Sequence, residues 1–91
     1  MLIKILIMRI LLFGITKEIV GDSSLTILEE NSLSKNLPKN VGELRKLLID
    51  DYPEFKELSS LKIAVNKEFV DDDLEINSSD EIAIIPPVSG G

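Results

Sequence analysis

The sequence predicts an α+β fold in which one main helix lies on one face of a mixed sheet. Three features of the chain predict it. Strand-like apolar runs stand near both ends, an amphipathic stretch of helical period lies in the middle, and a hairpin pattern separates that stretch from the last run. With 91 residues the chain has room for one small domain, so we expect a single layered unit.

The first elements lie between residues 9 and 28. Residues 9–13 are apolar and strand-like, and the stretch ITKEIVG predicts a short helix that ends at Gly21, where a left-handed C-cap fits. Asp22 and Ser23 are typical turn residues, and residues 24–28 predict a second strand. These elements predict an initial pair of strands.

The main helix follows a polar loop at residues 30–39. Asn40 is a good N-cap because Glu43 stands three positions later, as in a capping box. Pro53 disfavours helical geometry at Tyr52 and therefore ends the helix. The predicted helix carries one apolar stripe, formed by Val41, Leu44, Leu47 and Leu48.

The remaining strands are read from KIAV, EFV and a last apolar run at residues 81–85. Asn66 and Lys67 join the first two in a tight hairpin, since asparagine tolerates the positive φ that such a turn requires. Pro86 and Pro87 end the last strand because proline cannot donate to a sheet ladder.

Both faces of the first and last strands are apolar, although one helix covers only one face of a sheet. Ile10 and Leu12 point to one face, as do Ile82 and Ile84. The opposite face should then present an exposed apolar surface that marks a partner site. We call it the partner patch and assign to it Leu11, Phe13, Ala83 and Ile85, with Val88 beside it. The alternative is that loops or the first residues of the chain cover this face.

Composition excludes several functional classes. The chain has no cysteine and no histidine, which removes thiol nucleophiles, disulfides, the usual zinc ligands and imidazole catalysis. A net charge of −6 opposes binding to nucleic acid and favours a basic groove on a protein partner. No segment has the roughly 18 consecutive apolar residues that cross a bilayer, so no membrane partner is expected. We expect no bound cofactor or metal.

The acidic residues 71–75 and the apolar residues 1–7 could suggest a metal site and a secretory signal, but neither segment has the required pattern. Residues 71–75 read DDDLE and lack the spacing of a calcium loop, so they predict a solvated turn. Residues 1–7, MLIKILI, resemble the following MRILLFG, and they lack the small-residue cleavage site of a secretory signal. We therefore expect a cytoplasmic protein, and the sequence leaves both Met1 and Met8 open as its natural start. We expect residues 1–7 to be an extension of a domain that spans residues 8–91.

The chain ends on a slender tail, PPVSGG, at residues 86–91. Its prolines send the chain away from the sheet, and its last residues carry almost no side-chain bulk. The carboxylate of Gly91 can therefore reach through a narrow channel and is the candidate reacting group. A carboxylate becomes a good electrophile once ATP converts it to an acyl adenylate. The tail consists of Pro86, Pro87, Val88, Ser89, Gly90 and Gly91.

Four stretches, MRILLFGITKEIVG, NVGELRKLL, IAVNKEFV and DEIAIIPPVSGG, resemble successive landmarks of the molybdopterin synthase small subunit family. That family consists of ubiquitin-like sulfur carriers with a β-grasp fold. The resemblance covers nearly everything from Met8 onward, and PPVSGG is its most specific piece. The N-terminal extension and a longer loop before the helix depart from the family pattern.

The resemblance implies a carrier cycle rather than an enzyme acting alone. A ubiquitin-activating-like enzyme would adenylate Gly91 with ATP and magnesium, and a sulfur donor would convert the adenylate to a thiocarboxylate. The large subunit of the synthase, in an expected heterotetramer, would receive the tail. Sulfur would then pass to cyclic pyranopterin monophosphate in molybdenum cofactor biosynthesis.

Three other functions remain open at this point. The chain could carry sulfur for thiamine synthesis or tRNA thiolation, or it could be a ubiquitin-like modifier that forms isopeptides with lysines. It could also be a β-grasp interaction module whose glycine end does not react.

Overall fold

The computed structural model of the chain describes residues 5–30, 37–57 and 61–86. Its strands are Ile5–Leu12 (β1), Ser24–Glu30 (β2), Lys62–Val65 (β3), Glu68–Phe69 (β4) and Ile82–Ile85 (β5). They form one sheet in the order β2-β1-β5-β3-β4. Strands β1 and β5 are parallel and adjacent in the centre, while the other neighbours are antiparallel. The predicted α+β fold with a mixed sheet is confirmed.

The helices span Ile15–Val20 (α1) and Val41–Asp51 (α2), and a 3₁₀ turn follows at Pro53–Glu57. The predicted C-terminal ends of both helices are confirmed. Helix α1 stops at Gly21, whose φ is 88° and whose N–H donates to the Lys17 carbonyl. Helix α2 ends before Pro53, as the restriction on the preceding residue predicted.

The N-terminus of α2 has the predicted cap. The Asn40 Oδ1 accepts a hydrogen bond of 2.8 Å from the N–H of Glu43. The Glu43 carboxylate accepts from the N–H of Lys39 at 2.9 Å, one residue earlier than the usual capping box. The two bonds use a side chain at each end of the first turn, so this helix start is well defined.

The core lies between α2 and one face of the sheet. Three of the four predicted stripe residues, Val41, Leu44 and Leu48, are fully buried, whereas Leu47 is only half-buried. Phe55 of the 3₁₀ turn is also buried in this core. The strands contribute Met8, Ile10, Leu12, Ile63, Val65, Ile82 and Ile84.

The first strand pair is longer than predicted. Pairing runs from Ile5 opposite Glu30 to Leu11 opposite Ser24, so residues 5–7 of the expected extension continue strand β1. Glu30 consequently belongs to β2 rather than to the polar loop, whose residues 31–36 lie outside the described part of the chain. The division of the chain at Met8 stays a prediction.

The predicted hairpin at Asn66 and Lys67 is confirmed. These residues have φ values of 53° and 73°, and positive φ at both central residues is the mark of a type I′ turn. Strand β4 ends at Phe69, one residue before the predicted end, and β5 begins at Ile82 rather than at residue 81.

The acidic turn at residues 71–75 is exposed, as predicted, but it also contacts helix α2. The carbonyls of Asp72 and Leu74 accept hydrogen bonds of 2.8 Å and 3.0 Å from the N–H groups of Gly42 and Val41. The turn thereby satisfies two of the donors that a helix N-terminus leaves free. Within residues 5–30, 37–57 and 61–86, no three acidic side chains are arranged to hold a metal ion.

None of the helices in the described part of the chain has the length and apolar content that a membrane crossing needs.

Candidate functional site

The partner patch lies on the face of the sheet opposite helix α2. Ile10, Leu12, Ile82 and Ile84 are 0–2% exposed and point toward the helix. Because side chains alternate along a strand, the residues between them point the other way. Leu11, Phe13, Ala83 and Ile85 together line one open pocket of about 300 Å³. The structure thus brings the four predicted patch residues together, and their role in binding a partner stays a prediction.

The register of the strands explains why this surface is concave. Leu11 pairs with Ala83, Ala83 pairs with Ala64, and Ala64 pairs with Phe69. Four strands therefore contribute one continuous cross-strand row with a large side chain at each end and two alanines between them. The alanines form the floor of the pocket, and Leu11 and Phe69 form its walls.

Sequence reasoning missed the outer half of this pocket. Phe69 is 62% exposed, and the Lys62 ammonium lies 5.1 Å from the centre of its ring, within cation–π range. Lys67 and Glu81 also line the pocket, so its rim carries both signs of charge. The hairpin pattern with period-two alternation could have shown that Ala64 and Phe69 share a face, but the pairing of β3 with β5 is what brings that face to the pocket.

The tail begins where strand β5 ends, next to the pocket. Ile85 lines the pocket, and the half-buried Pro86 follows it directly. Pro86 also lies against Gly14, at the corner between β1 and α1. The other tail residues, Pro87, Val88, Ser89, Gly90 and the candidate reacting residue Gly91, lie outside the described residues.

Comparison with known proteins matches the chain to one protein family. The family model described as the ThiS family matches residues 10–91. A molybdopterin synthase sulfur carrier subunit from Dictyostelium discoideum is 43% identical over 89 residues, which covers 91% of this chain and 94% of that protein.

Two solved structures extend the comparison. SAMP1 from Haloferax volcanii superposes with a TM-score of 0.71 at 21% identity, covering 93% of this chain and 99% of that chain. A complex of subunits 1 and 2 of the molybdopterin-converting factor from Helicobacter pylori contains a chain that superposes with a TM-score of 0.61 at 22% identity, with coverages of 93% and 99%. At these identities the likeness shows the shared β-grasp fold alone.

The family model spans all but the first nine residues, and the Dictyostelium relative matches across most of both chains. Residues 10–91 contain the end of strand β1, the other strands, both helices and the tail. The chain therefore belongs to the ThiS family.

Proposed function

We propose that this chain is the sulfur carrier subunit of molybdopterin synthase and that its reacting group is the C-terminal carboxylate of Gly91. The observation that carries the proposal is the position of Pro86, the first residue of the PPVSGG tail, which directly follows Ile85 of the open apolar pocket. The 43% identity to a sulfur carrier subunit over most of both chains supports the same role. The chain is the sulfur-carrying part of an enzyme complex rather than an enzyme by itself.

The proposed chemistry has two steps at the terminal carboxylate of Gly91. A carboxylate oxygen of Gly91 attacks the α-phosphorus of ATP and releases pyrophosphate, which leaves an acyl adenylate. Sulfide supplied by the donor then attacks the carbonyl carbon, AMP departs with the electron pair of the broken C–O bond, and the resulting thiol acid loses a proton to become the thiocarboxylate. The adenylating partner, not this chain, would hold the ATP and magnesium.

The loaded carrier would then act with the large subunit of the synthase. With the tail in that subunit's active site, the thiocarboxylate would supply sulfur to cyclic pyranopterin monophosphate, and two transfers would build the dithiolene. The Helicobacter pylori complex of subunits 1 and 2 supports a large-subunit partner. The heterotetramer, the sulfur donor and the cytoplasmic location stay predictions.

The partner patch has the properties of a protein-binding surface. Its walls are apolar, its rim is charged, and Phe13 and Phe69 remain 48% and 62% exposed. Exposed aromatic side chains around a shallow apolar floor are typical of binding hot spots. We therefore assign the patch to both the adenylating enzyme and the large subunit, which would compete for it.

Deletion of Gly91 tests the reacting group. It moves the carboxylate by one residue, up to about 3.6 Å along an extended chain, whereas attack geometry is sensitive to about 1 Å. After incubation with ATP, magnesium, the adenylating enzyme and a sulfur source, intact mass should show one oxygen replaced by sulfur in the full-length chain only. Ser89→Ala is the matched control, because it changes the tail without changing its length, and it should load normally.

Equal loading of the shortened chain, or sulfur at an internal residue, would refute the terminal thiocarboxylate. Adding the large subunit and the pterin precursor to the loaded chain then separates the carrier from the modifier. Formation of the dithiolene supports molybdopterin synthesis. Conjugation to protein lysines without a pterin product supports the modifier, a function compatible with the fold shared with SAMP1.

The substitution Phe13→Asp tests the partner patch. Phe13 is already half exposed, so the variant should fold, but a charge buried at an interface without a partner is costly, on the order of a few kcal/mol. Binding to both partners should weaken at least tenfold. Ile7→Asp is the matched control, since Ile7 is 53% exposed on the same strand face but does not line the pocket. Unchanged affinity of Phe13→Asp for both partners would contradict the assignment.

A further inference from the structure

The two central strands bring the start of the tail to the corner between β1 and α1. Parallel strands have their carboxyl ends at the same edge of a sheet, and the last pair between β1 and β5 is Leu12 with Ile84. Two residues further along each strand, the same register would place Gly14 opposite Pro86. The ladder has ended there, because Pro86 has no N–H and the chain turns into α1 at Gly14.

Gly14 and Pro86 touch without an intervening side chain. A Cβ atom built on Gly14 would lie 3.0 Å from Cγ and 3.9 Å from Cδ of Pro86. Gly14 also has φ of 57° and ψ of −133°, a conformation that residues with a side chain rarely adopt. Glycine is therefore required here twice, once by the backbone and once by the proline ring.

A buried hydroxyl group fixes this corner. Thr16 is fully buried, and its Oγ1 donates to the Phe13 carbonyl at 2.6 Å and accepts from the Phe13 N–H at 3.1 Å. The Gly14 carbonyl accepts from the N–H of Lys17 at 3.1 Å, which anchors the residue to the first turn of α1. Phe13 and Gly14 are thus both held by hydrogen bonds, and the corner presents a fixed surface to the proline ring.

We propose that residues 13–16 form a bracket that sets the direction in which the tail leaves the sheet, with Gly14 as its positioning residue. The inference rests on the proposed function, in which the Gly91 carboxylate must reach a reacting geometry inside a partner. Gly14 does not contact the reacting atoms. It acts through Pro86, whose ring orientation sets the starting direction of the tail.

The test compares Gly14→Ala with Gly21→Ala. Gly21 also has positive φ, 88°, but nothing lies within 4 Å of a Cβ built on it, so this control adds backbone strain without touching the tail. In NMR spectra of the free protein we expect a cross-peak between the Gly14 Hα and the Pro86 ring. The amide signals of Ser89, Gly90 and Gly91 should shift in Gly14→Ala and stay in place in Gly21→Ala.

A kinetic measurement distinguishes tail direction from general damage. Neither substitution replaces a residue that lines the pocket of the partner patch, so KM of the adenylating enzyme for the carrier should stay within about twofold. Since misplacement by about 1 Å can cost about a hundredfold in rate, kcat should fall about ten- to a hundredfold for Gly14→Ala and stay near the wild-type value for Gly21→Ala. Pro86→Ala, which removes the ring and leaves the corner unchanged, should lower kcat in the same way even if Gly14→Ala folds poorly.

Each result has one meaning. The bracket proposal is overturned if wild type, Gly14→Ala and Pro86→Ala have the same kcat. It is also overturned if Gly14→Ala and Gly21→Ala, compared at the same stability, lose kcat to the same extent. If the adenylating enzyme does not activate the wild-type chain, the proposed function fails. The NMR comparison then decides the bracket by itself: it stands if only Gly14→Ala shifts the tail signals and falls if neither or both glycine variants do.

Discussion

The guanidinium of Arg45 in helix α2 donates two hydrogen bonds to Oδ1 of Asp72 in the acidic turn, at 3.1 Å from Nε and 3.0 Å from Nη2. Its Nη1 donates a third, of 2.8 Å, to the Leu61 carbonyl, one residue before strand β3. The charged pair is partly exposed, whereas the bond to the carbonyl is partly buried. One side chain therefore joins the helix, the acidic turn and the entry to the sheet.

The substitution Arg45→Met should lower the free energy of unfolding by about 1–3 kcal/mol, mainly through loss of the charged hydrogen bond to the Leu61 carbonyl. Met keeps an apolar stem of similar length. The exposed ion pair alone contributes about 0–1 kcal/mol, so Asp72→Asn should cost less than Arg45→Met. Urea unfolding measures both. Lys46→Met, a change at an exposed neighbour on the same helix, is the control and should alter the free energy of unfolding by less than about 0.5 kcal/mol. If Lys46→Met lowers it as much as Arg45→Met does, the prediction is contradicted.

The Thr16 hydroxyl should be needed for the corner at Phe13. Thr16→Val keeps the shape of the side chain but leaves the Phe13 N–H without its acceptor, at a cost of about 1–3 kcal/mol. Thr16→Ser keeps the hydroxyl and loses one methyl group, about 1 kcal/mol. Because both variants lose stability, hydrogen exchange at the Phe13 amide is the discriminating measurement. We expect faster exchange in Thr16→Val than in Thr16→Ser, and the same exchange rate in both would show that the hydroxyl does not hold the corner.

Local patterns were sufficient to predict the α+β class and several ends of its elements. The Asn40 cap, the stop before Pro53 and the hairpin at Asn66 each depend on residues within four positions, and the structure confirms all three. The first and last strands have apolar residues on both faces, and this pattern predicted the partner patch. The alternation of side chains between faces can be read from a single strand. These signals need no knowledge of which strands are neighbours.

The relationships that the sequence did not predict join segments distant in the chain. Phe69 reaches the partner patch only through the register of β4 with β3 and of β3 with β5. The acidic turn caps α2 from 30 residues away, as in the contact between Gly42 and the carbonyl of Asp72. The contact of Gly14 with Pro86 likewise depends on the parallel pairing of the two central strands. Composition and period carry no information about such pairings.

Leu48 and Leu47 should respond differently to truncation although they are neighbours on one predicted stripe. Leu48 is fully buried in the core, and Leu48→Ala should cost about 2–5 kcal/mol through lost burial and the cavity that remains. Leu47 is only half-buried, so truncation removes less buried apolar surface and Leu47→Ala should cost clearly less. Urea unfolding of the two variants under the same conditions measures the difference. A larger loss of stability for Leu47→Ala than for Leu48→Ala would show that the helix face carrying Leu48 is not the one that packs on the core.

The hairpin turn offers a stabilising substitution at Lys67. Its φ of 73° is unfavourable for a lysine by about 1–2 kcal/mol, and glycine removes that strain. Glycine also gives the unfolded chain more freedom, which offsets about 0.5–1 kcal/mol of the gain. Lys67→Gly should therefore raise the free energy of unfolding by about 0.5–1 kcal/mol, measured by urea or thermal unfolding, and it creates the Asn-Gly pair that type I′ turns favour.

The same change at Asn66 should have the opposite effect, although its φ is also positive. Its side-chain amide donates to Asp80 at 3.0 Å, and its Oδ1 accepts from the N–H of Glu81 at 2.9 Å, so the side chain attaches the hairpin to the entry of β5. Asparagine tolerates positive φ well, so glycine relieves little strain there. Loss of the two hydrogen bonds, at about 0.5–1.5 kcal/mol each, should make Asn66→Gly less stable than wild type by about 1–2 kcal/mol. If Asn66→Gly and Lys67→Gly change stability in the same direction, the side-chain contacts of Asn66 do not support the turn and positive φ alone decides its stability.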